Sequence, residues 1–408
     1  MKFLSGLPFD LDLLPKPVYV VGGAIRDELM GRVRAELDLD LVVPVGAVAA
    51  ARQLAKEYQA GFVLLDAERQ IARVVFPKLT VDIAQQDGAS IIDDLGRRDY
   101  RLNAIAYDLQ TQTLVDPLNG YQDIQERVIR MVSEGNLIDD PLRLLRAYRQ
   151  GAQLNFTIAP ETQQAIRSHA HLATTVAGER VLAELRYLLQ ASNSSEWLTT
   201  LVKDGVLTGW LDAPVREDLV ARLSAIDRAM AMIQDHYPAL AIELDRSVRE
   251  TIPISRRGIS KLTAILSSEL SIATAQMLRL TFSSGEIQIV TTVINYLPQL
   301  VRGGMSLSEQ YFWFQAVGQN FPLLLLLALA DGVTIEALFD ITGRYLDLSN
   351  QVAHPTSLVS GHDLMQALQI PPSPQIGRLL TEIQLARIEG KVVTIVDAIE
   401  FAKQSIKS

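Results

Sequence analysis

The chain has 408 residues, of which 48% are hydrophobic, and its formal net charge is −9 at pH 7. This length allows two to four packed units, and the negative charge argues against a protein that coats nucleic acid with a generally basic surface. The sequence contains no cysteine, which excludes disulfides, thiol catalysis and zinc–thiolate sites.

A strand, a glycine pair and a helix are predicted near the amino terminus. Residues 18–21 form a short β-branched run that ends at Gly22 and Gly23, and residues 24–30 are predicted to form a helix. Such a turn lets the backbone approach phosphate oxygens, and Arg26 in the first helical turn adds a charged donor. A Gly-Gly pair alone more often indicates an ordinary tight turn.

Two aspartates, Asp38 and Asp40, follow in a segment that alternates apolar and acidic residues. The alternation predicts a strand with leucines on a core face and both carboxylates on the other face. Neighbouring carboxylates repel each other unless a cation neutralises them, and their hard oxygens favour Mg²⁺ or Mn²⁺. A bare D-x-D is also typical of a solvated strand edge. Its position fifteen residues after Gly23 favours a triphosphate cradle beside metal ligands.

Further motifs lie at residues 97–104, 139–149 and 178–185. The first contains Arg98 and Asn103, and Asn103 is predicted to begin an apolar helix. In the second, a proline in the first helical turn predicts a helix that carries Asp140 and Arg143 on one face, with Arg146 a turn further on. A surface ion pair is the alternative interpretation of Asp140 and Arg143.

These segments, in this order, resemble the motifs of class II tRNA nucleotidyltransferases and their bacterial poly(A) polymerase relatives. The resemblance implies that Asp38 and Asp40 bind two Mg²⁺ ions, which activate an RNA 3′-hydroxyl and hold the triphosphate. It also implies that Arg98 and Asn103 contact ribose and phosphates, although residue 101 is arginine where the family has threonine. The implied nucleotide-binding residues are Gly22, Gly23, Arg26, Arg98, Asn103, Asp140, Arg143 and Arg146.

In the family, the motif that corresponds to residues 139–149 recognises the Watson–Crick edge of the incoming nucleotide. The resemblance therefore implies that Asp140 accepts from an exocyclic amine and that Arg143 donates to the ring, so that C or A is accepted. The segment at residues 178–185 is expected to tie neighbouring helices together and is assigned no chemistry.

A long flexible loop typical of complete CCA-adding enzymes is nearly absent here. Residues 82–84 match the family's Asp-x-Ala strand, and only residues 85–90 separate them from the segment that leads into Arg97. In the family this shortening marks enzymes that add two cytidines and stop. The resemblance thus implies CC addition from CTP to the tRNA 3′ end, completed by a separate A-adding enzyme. Asp82 is left outside the metal set, because ordinary strand polarity explains it equally well.

Several alternatives remain open. Full CCA addition, A-addition and poly(A) polymerase activity, the last two with ATP as substrate, are alternatives within the enzyme class. A catalytically inactive RNA-binding relative is the alternative outside it, and the retained acidic and basic motif residues count against that interpretation.

The pattern of elements predicts an α/β head with a mixed sheet, followed by an all-α neck, body and tail. The predicted boundaries are 1–128 for the head, 129–192 for a neck with base recognition, 193–300 for the body and 301–408 for an RNA-binding tail. Residues 215–235 and 259–278 are predicted to be long helices. The apolar run 323–329 is too short to cross a membrane and predicts a buried helix. No membrane partner and a cytoplasmic location are expected, since early acidic residues argue against a signal peptide.

Overall fold

The computed structural model describes residues 7–32, 37–211, 218–249 and 252–407. The chain divides into two compact units, residues 1–212 and 213–408. This division does not test the narrower boundaries at residues 128, 192 and 300, which stay predictions.

The first unit contains a seven-stranded mixed sheet with the strand order β3-β4-β5-β2-β1-β6-β7. β2 and β5 are parallel, and the other neighbouring strands are antiparallel. The predicted alternation places Leu39 and Leu41 of β2 in the core, each 1% exposed. The strands are β1 (Tyr19–Val21), β2 (Leu37–Val43), β3 (Gly61–Asp66), β4 (Ile71–Phe76), β5 (Leu79–Gln85), β6 (Ala106–Asp108) and β7 (Thr113–Val115).

Four helices accompany this sheet within the described part of the head. Helix α2 packs against β3, β4 and β5, because its buried alanines and leucine lie on one face. A serine at position 90 caps α3 with a reciprocal capping box. The helices are α1 (Gly23–Leu29), α2 (Ala47–Glu57), α3 (Ile91–Gly96) and α4 (Gly120–Glu126).

Helices dominate the rest of the first unit. A two-residue parallel pair, β8 (Val128–Ile129) with β9 (Thr157–Ile158), brackets two of them. Helices α6 and α8 pack together along their apolar faces. The helices are α5 (Glu134–Asp139), α6 (Leu142–Leu154), α7 (Pro160–His169), α8 (Gly178–Gln190), α9 (Ser194–Lys203) and α10 (Thr208–Leu211).

Within its described residues, the second unit is helical apart from the antiparallel pair of β10 (Ser247–Arg249) and β11 (Ile252–Ser255). Near its end, helices α19, α20 and α21 surround a small core of their own. The helices are α11 (Leu219–His236), α12 (Pro238–Asp245), α13 (Arg256–Ile265), α14 (Leu270–Arg279), α15 (Ser284–Arg302), α16 (Leu307–Val317), α17 (Phe321–Ala330), α18 (Phe339–Leu346), α19 (Gly361–Leu368), α20 (Pro374–Ile388) and α21 (Ile395–Lys407).

The α/β head followed by a helical remainder confirms the predicted fold class. One predicted helix is wrong: residues 259–278 form α13 and α14, because the backbone leaves the helical conformation at Leu266. The other predicted run corresponds to α11, and its residues 215–217 lie outside the described residues.

The leucine-rich run behaves as predicted. Residues 323–329 lie in α17 and are all buried. Among the described residues, the stretch 307–330 meets the length and composition of a membrane span, and 67% of its apolar window is buried inside the structure.

Candidate active site

The two aspartates of β2 project from the face opposite its buried leucines. Asp38 is exposed and Asp40 is half-buried. Asp40 lies in register with Val21 of β1 on one side and with Asp82 of β5 on the other. Burial raises the pKa of Asp40; Arg98 opposes that rise, whereas Asp82 and Asp38 add to it. The arrangement concentrates negative charge at one point of the sheet.

Asp82 has its own counter-ion. Arg73 lies opposite it on β4, and the guanidinium binds both carboxylate oxygens, with Nε–Oδ1 at 2.7 Å and Nη2–Oδ2 at 2.8 Å. Within the described ranges, no group of three or more His, Cys, Asp or Glu side chains is arranged to hold a metal. Asp38 and Asp40 stay the predicted ligand pair, and Asp82 is paired with Arg73.

Gly22 allows the turn after β1 to touch the aspartate pair. Its φ is +73°, and a Cβ there would lie 2.9 Å from Oδ2 of Asp40 and 3.4 Å from Nη1 of Arg98. Any side chain would therefore both strain the backbone and displace Asp40. Gly22, Asp40 and Arg98 meet at one place, as their motifs predict, and Gly23 begins α1 beside them. Asp94 holds Arg98 through Nη2 at 3.0 Å.

The guanidinium of Arg26 is not directed at the position where Gly22, Asp40 and Arg98 meet. Its side chain is buried, Nη1 donates to Oδ1 of Asn103 at 2.7 Å, and Nε and Nη2 donate to Asp27. Asn103 lies in a 3₁₀ turn, Arg101–Asn103, that leads into β6. The prediction that Asn103 begins a helix is therefore wrong: the turn is followed by strand pairing with β1.

Asp99 is the centre of the network that Arg26 and Asn103 enter. It accepts from Nδ2 of Asn103 at 3.0 Å, from Nε of Arg146 at 2.8 Å and from Nε2 of Gln150 at 3.2 Å. Although burial alone would raise the pKa of Asp99, Arg146 and the donated hydrogen bonds hold it well below its usual range. Asp99 in turn raises the pKa of Arg146. The structure thus gives Arg146 a buried partner that joins the segment after α3 to α6.

Asp140 and Arg143 do not share a helical face as predicted. Pro141 is the N-cap residue of α6, and Asp140 is extended, with φ −135° and ψ 92°, at the end of α5. The reason is steric, because a proline disfavours helical geometry at the residue before it. The two residues nevertheless meet at one atom. The main-chain oxygen of Asn136 accepts from Nη1 of Arg143 at 2.9 Å and from the backbone N–H of Asp140 at 3.4 Å.

Asn136 was not singled out by any motif. Its buried side chain donates to the main-chain oxygens of Gly96 at 2.8 Å and Arg98 at 2.7 Å. It therefore fastens the segment carrying Arg98 to the carbonyl shared by Asp140 and Arg143. Only its position three residues after a helix-capping serine could have drawn attention to it.

Helix α8 contributes two charged side chains to this region. Glu184 forms ion pairs with Arg149 and, at 3.7 Å, with Arg146 of α6. This confirms that the segment ties neighbouring helices together. Arg180, which was assigned no chemistry, contacts Asp140: its Nη2 lies 3.1 Å from Oδ2 and 3.3 Å from Oδ1.

The shortened loop is a five-residue connection, residues 86–90, between β5 and α3. The backbone N–H of Asp87 donates to Asp94 at 3.1 Å, and its carboxylate accepts from Arg97 at 3.2 Å. Gly88 has φ +95°, and a Cβ there would lie 2.5 Å from Cβ of Asp93. The loop is therefore fixed against α3, the helix that carries Asp94.

A glycine turn against paired carboxylates in a mixed sheet, followed by helices, defines a nucleotidyltransferase head with a helical extension. Three family models match the chain. Residues 18–87 and 85–130 match "Poly A polymerase head domain", residues 155–214 match "Probable RNA and SrmB- binding site of polymerase A", and residues 253–402 match a model described as tRNA nucleotidyltransferase domain 2.

Full-length relatives give the same result. A CC-adding tRNA nucleotidyltransferase from Synechocystis is 42% identical over 98% of this chain and 97% of its own length. An A-adding tRNA nucleotidyltransferase from Deinococcus radiodurans is 30% identical over 96% of both chains. The fold matches that of a CCA-adding enzyme solved with CTP, with a TM-score of 0.73, 22% identity, and coverage of 96% of this chain and 92% of that one. The chain belongs to the tRNA nucleotidyltransferase family and is an enzyme of that class.

Proposed function

We propose that the protein adds two cytidines from CTP to the 3′ end of tRNA and leaves the terminal adenosine to a separate A-adding enzyme. The short loop between β5 and α3 is the observation that carries this specificity. It has only five residues, and Asp87 within it is held by Asp94 and Arg97, so it lacks the length and freedom of a loop that reshapes a base pocket. The 42% identity to a CC-adding enzyme also supports the proposal.

The transfer joins the RNA 3′-oxygen to the α-phosphorus of CTP and breaks the α–β anhydride bond. Pyrophosphate leaves, and the hydroxyl proton is released. We place the reacting phosphates beside Gly22, where the backbone turn, Asp40 and Arg98 converge. Arg98 is then the cation nearest the triphosphate, and Asp94 orients it.

The residues present fit a divalent cation. Burial raises the pKa of Asp40, and the neighbouring carboxylates of Asp82 and Asp38 raise it further. Arg98 acts in the opposite direction. A cation held by Asp38 and Asp40 would relieve that repulsion, and carboxylate oxygens suit Mg²⁺. Bound Mg²⁺ would supply Lewis-acid activation of the hydroxyl and neutralise phosphate charge. That two ions bind remains part of the proposal.

Base selection is assigned to Asp140 and Arg143, which are held together by the carbonyl of Asn136. Cytosine and adenine present an amine where uracil and guanine present a carbonyl oxygen. A carboxylate can accept from the amine, whereas it repels a second acceptor. The pair therefore favours C or A, and the loop discriminates between them. The helices after the head are proposed to hold the tRNA by its shape and phosphates.

Product sequencing tests the proposal. Purified protein is incubated with Mg²⁺ and a tRNA transcript that lacks its CCA end, with CTP alone, ATP alone or both. We expect two added cytidines with CTP and no terminal adenosine with both nucleotides. A terminal adenosine would contradict the CC specificity, and A-tails on unrelated RNA would indicate a poly(A) polymerase.

The variant Asp40→Ala separates an enzyme from an inactive RNA-binding relative. We expect nucleotide incorporation to collapse while tRNA binding persists in a filter-binding assay. Incorporation at the normal rate in this variant would exclude the proposed site.

A further inference from the structure

We infer that Arg180 is a positioning residue that determines which base the site accepts, by holding the carboxylate of Asp140. This inference rests on the proposed function. Arg180 is in the first turn of α8, and its Nη2 bridges both oxygens of Asp140 at 3.1 Å and 3.3 Å. The contact joins α8 to the end of α5, so it fixes the Asp140 side chain from a different helix.

The backbone at Asp140 explains why a separate support is needed. The residue is extended and lies between the end of α5 and the N-cap of α6. It therefore has no helical turn to restrict its side-chain rotamer. Within the described residues, its side chain has only two hydrogen-bonding partners: Arg180 and the backbone N–H of Leu142, which lies 3.4 Å from Oδ1.

The contacts with Arg180 and Leu142 occupy most of the hydrogen-bond acceptor sites of the Asp140 carboxylate. A carboxylate offers about four lone-pair sites, two on each oxygen. Arg180 uses one on each oxygen and Leu142 uses a second on Oδ1. One site remains, on Oδ2, so the carboxylate presents a single acceptor in a fixed direction. An exocyclic amine satisfies this acceptor, whereas the carbonyl of uracil faces it with a second acceptor.

Replacing Arg180 should free the carboxylate of Asp140 from its fixed orientation while Asp140 itself stays in place. In Arg180→Gln the carboxylate can rotate, and water can fill the acceptor sites that the guanidinium held. Because the contact is half-exposed, we expect a rise of about five-fold in KM for CTP, with kcat changed by less than about two-fold. Discrimination should fall in parallel: the kcat/KM ratio of CTP to UTP should drop about five-fold or more.

A conservative variant and a matched control accompany the measurement. Arg180→Lys keeps the charge but cannot offer the planar fork, so it should restore discrimination only in part. Arg167→Gln is the control, because Arg167 of α7 also binds an aspartate of another element, Asp204 after α9, at 2.7 Å. The side chain of Arg167 is 51% exposed, against 50% for Arg180. The control should leave the CTP-to-UTP ratio at the wild-type value.

A double-variant cycle decides whether Arg180 acts through Asp140. In an Asp140→Asn background, adding Arg180→Gln should change the CTP-to-UTP ratio no further. The inference is overturned if Arg180→Gln keeps the wild-type ratio, if the control lowers it equally, or if the two changes multiply. Calorimetric titration of CTP and UTP gives the same comparison without turnover. A wild-type protein that incorporates no cytidine would refute the proposed function instead, which separates the two failures.

Discussion

Replacing Gly22 with alanine should damage the site far more than it damages the fold. The glycine has φ +73° and ψ −138°, a conformation that a residue with a side chain adopts at a cost of about 1–3 kcal/mol. The added Cβ would also lie 2.9 Å from Oδ2 of Asp40, so the carboxylate must move by some tenths of an ångström or more. Misplacement on this scale in a reacting site reduces rates by up to about 100-fold.

Gly31 provides the matched control. It lies just after α1 and has φ +68°, and a Cβ added there would have no described atom within 4 Å. Gly31→Ala therefore reports the effect of a side chain at a positive φ without a steric clash. Urea unfolding should show a loss of stability for both variants, whereas single-turnover cytidine incorporation should fall only in Gly22→Ala. Equal incorporation rates in the two variants would refute the argument that Gly22 is required by its contact with Asp40.

Three further predictions concern the buried and paired groups around the site. The folded-state pKa of Asp99 is depressed, so the stability that this carboxylate contributes is complete above its unfolded-state pKa of about 4 and is lost as the pH falls below that value. Asp99→Asn should therefore flatten the acid side of a profile of unfolding free energy measured from pH 3 to 6. Asn136→Ala removes the side-chain donor that binds the part-buried main-chain oxygens of Gly96 and Arg98, and it should cost about 2 kcal/mol in urea unfolding. A loss below about 0.5 kcal/mol, less than one typical hydrogen bond, would contradict this prediction. Arg73→Ala removes the counter-ion of Asp82, so the charge of Asp82 should raise the pKa of Asp40 further. The acid limb of the pH–rate profile should then move to higher pH, and an unchanged limb would contradict this prediction.

The sheet and its acidic edge could be predicted because they depend on local patterns. Alternation in residues 37–43 determines which side chains of β2 are buried, and Gly22 marks the turn that the strand order brings to Asp40. The same reasoning located the short connection after β5, since its length is visible in the sequence itself. These features need no knowledge of distant contacts.

The parts that could not be predicted depend on partners far apart in the chain. Arg26 looked like a phosphate ligand, but its guanidinium is satisfied by Asn103, 77 residues away. Arg146 is likewise committed to Asp99 across 47 residues. The three-residue spacing also predicted a shared helical face for Asp140 and Arg143, whereas Pro141 keeps Asp140 extended and outside α6. Sequence spacing identifies which side chains carry charge, whereas tertiary pairing decides which of them remain available.

The hydrogen bonds around Arg98 connect the two parts of the proposed specificity. On one side, Asp94 binds both the guanidinium of Arg98 and the backbone of the short loop. On the other, Asn136 binds the main-chain oxygen of Arg98 and, through its own carbonyl, Arg143. The loop and the base-reading residues are thus linked through one short segment that also faces the triphosphate position. Because each link is a direct hydrogen bond, to the backbone or between part-buried side chains, the connection resists independent movement of its ends. Under the proposed function, a loop fixed in this way holds the base pocket in one shape, which accounts for addition of a single kind of nucleotide.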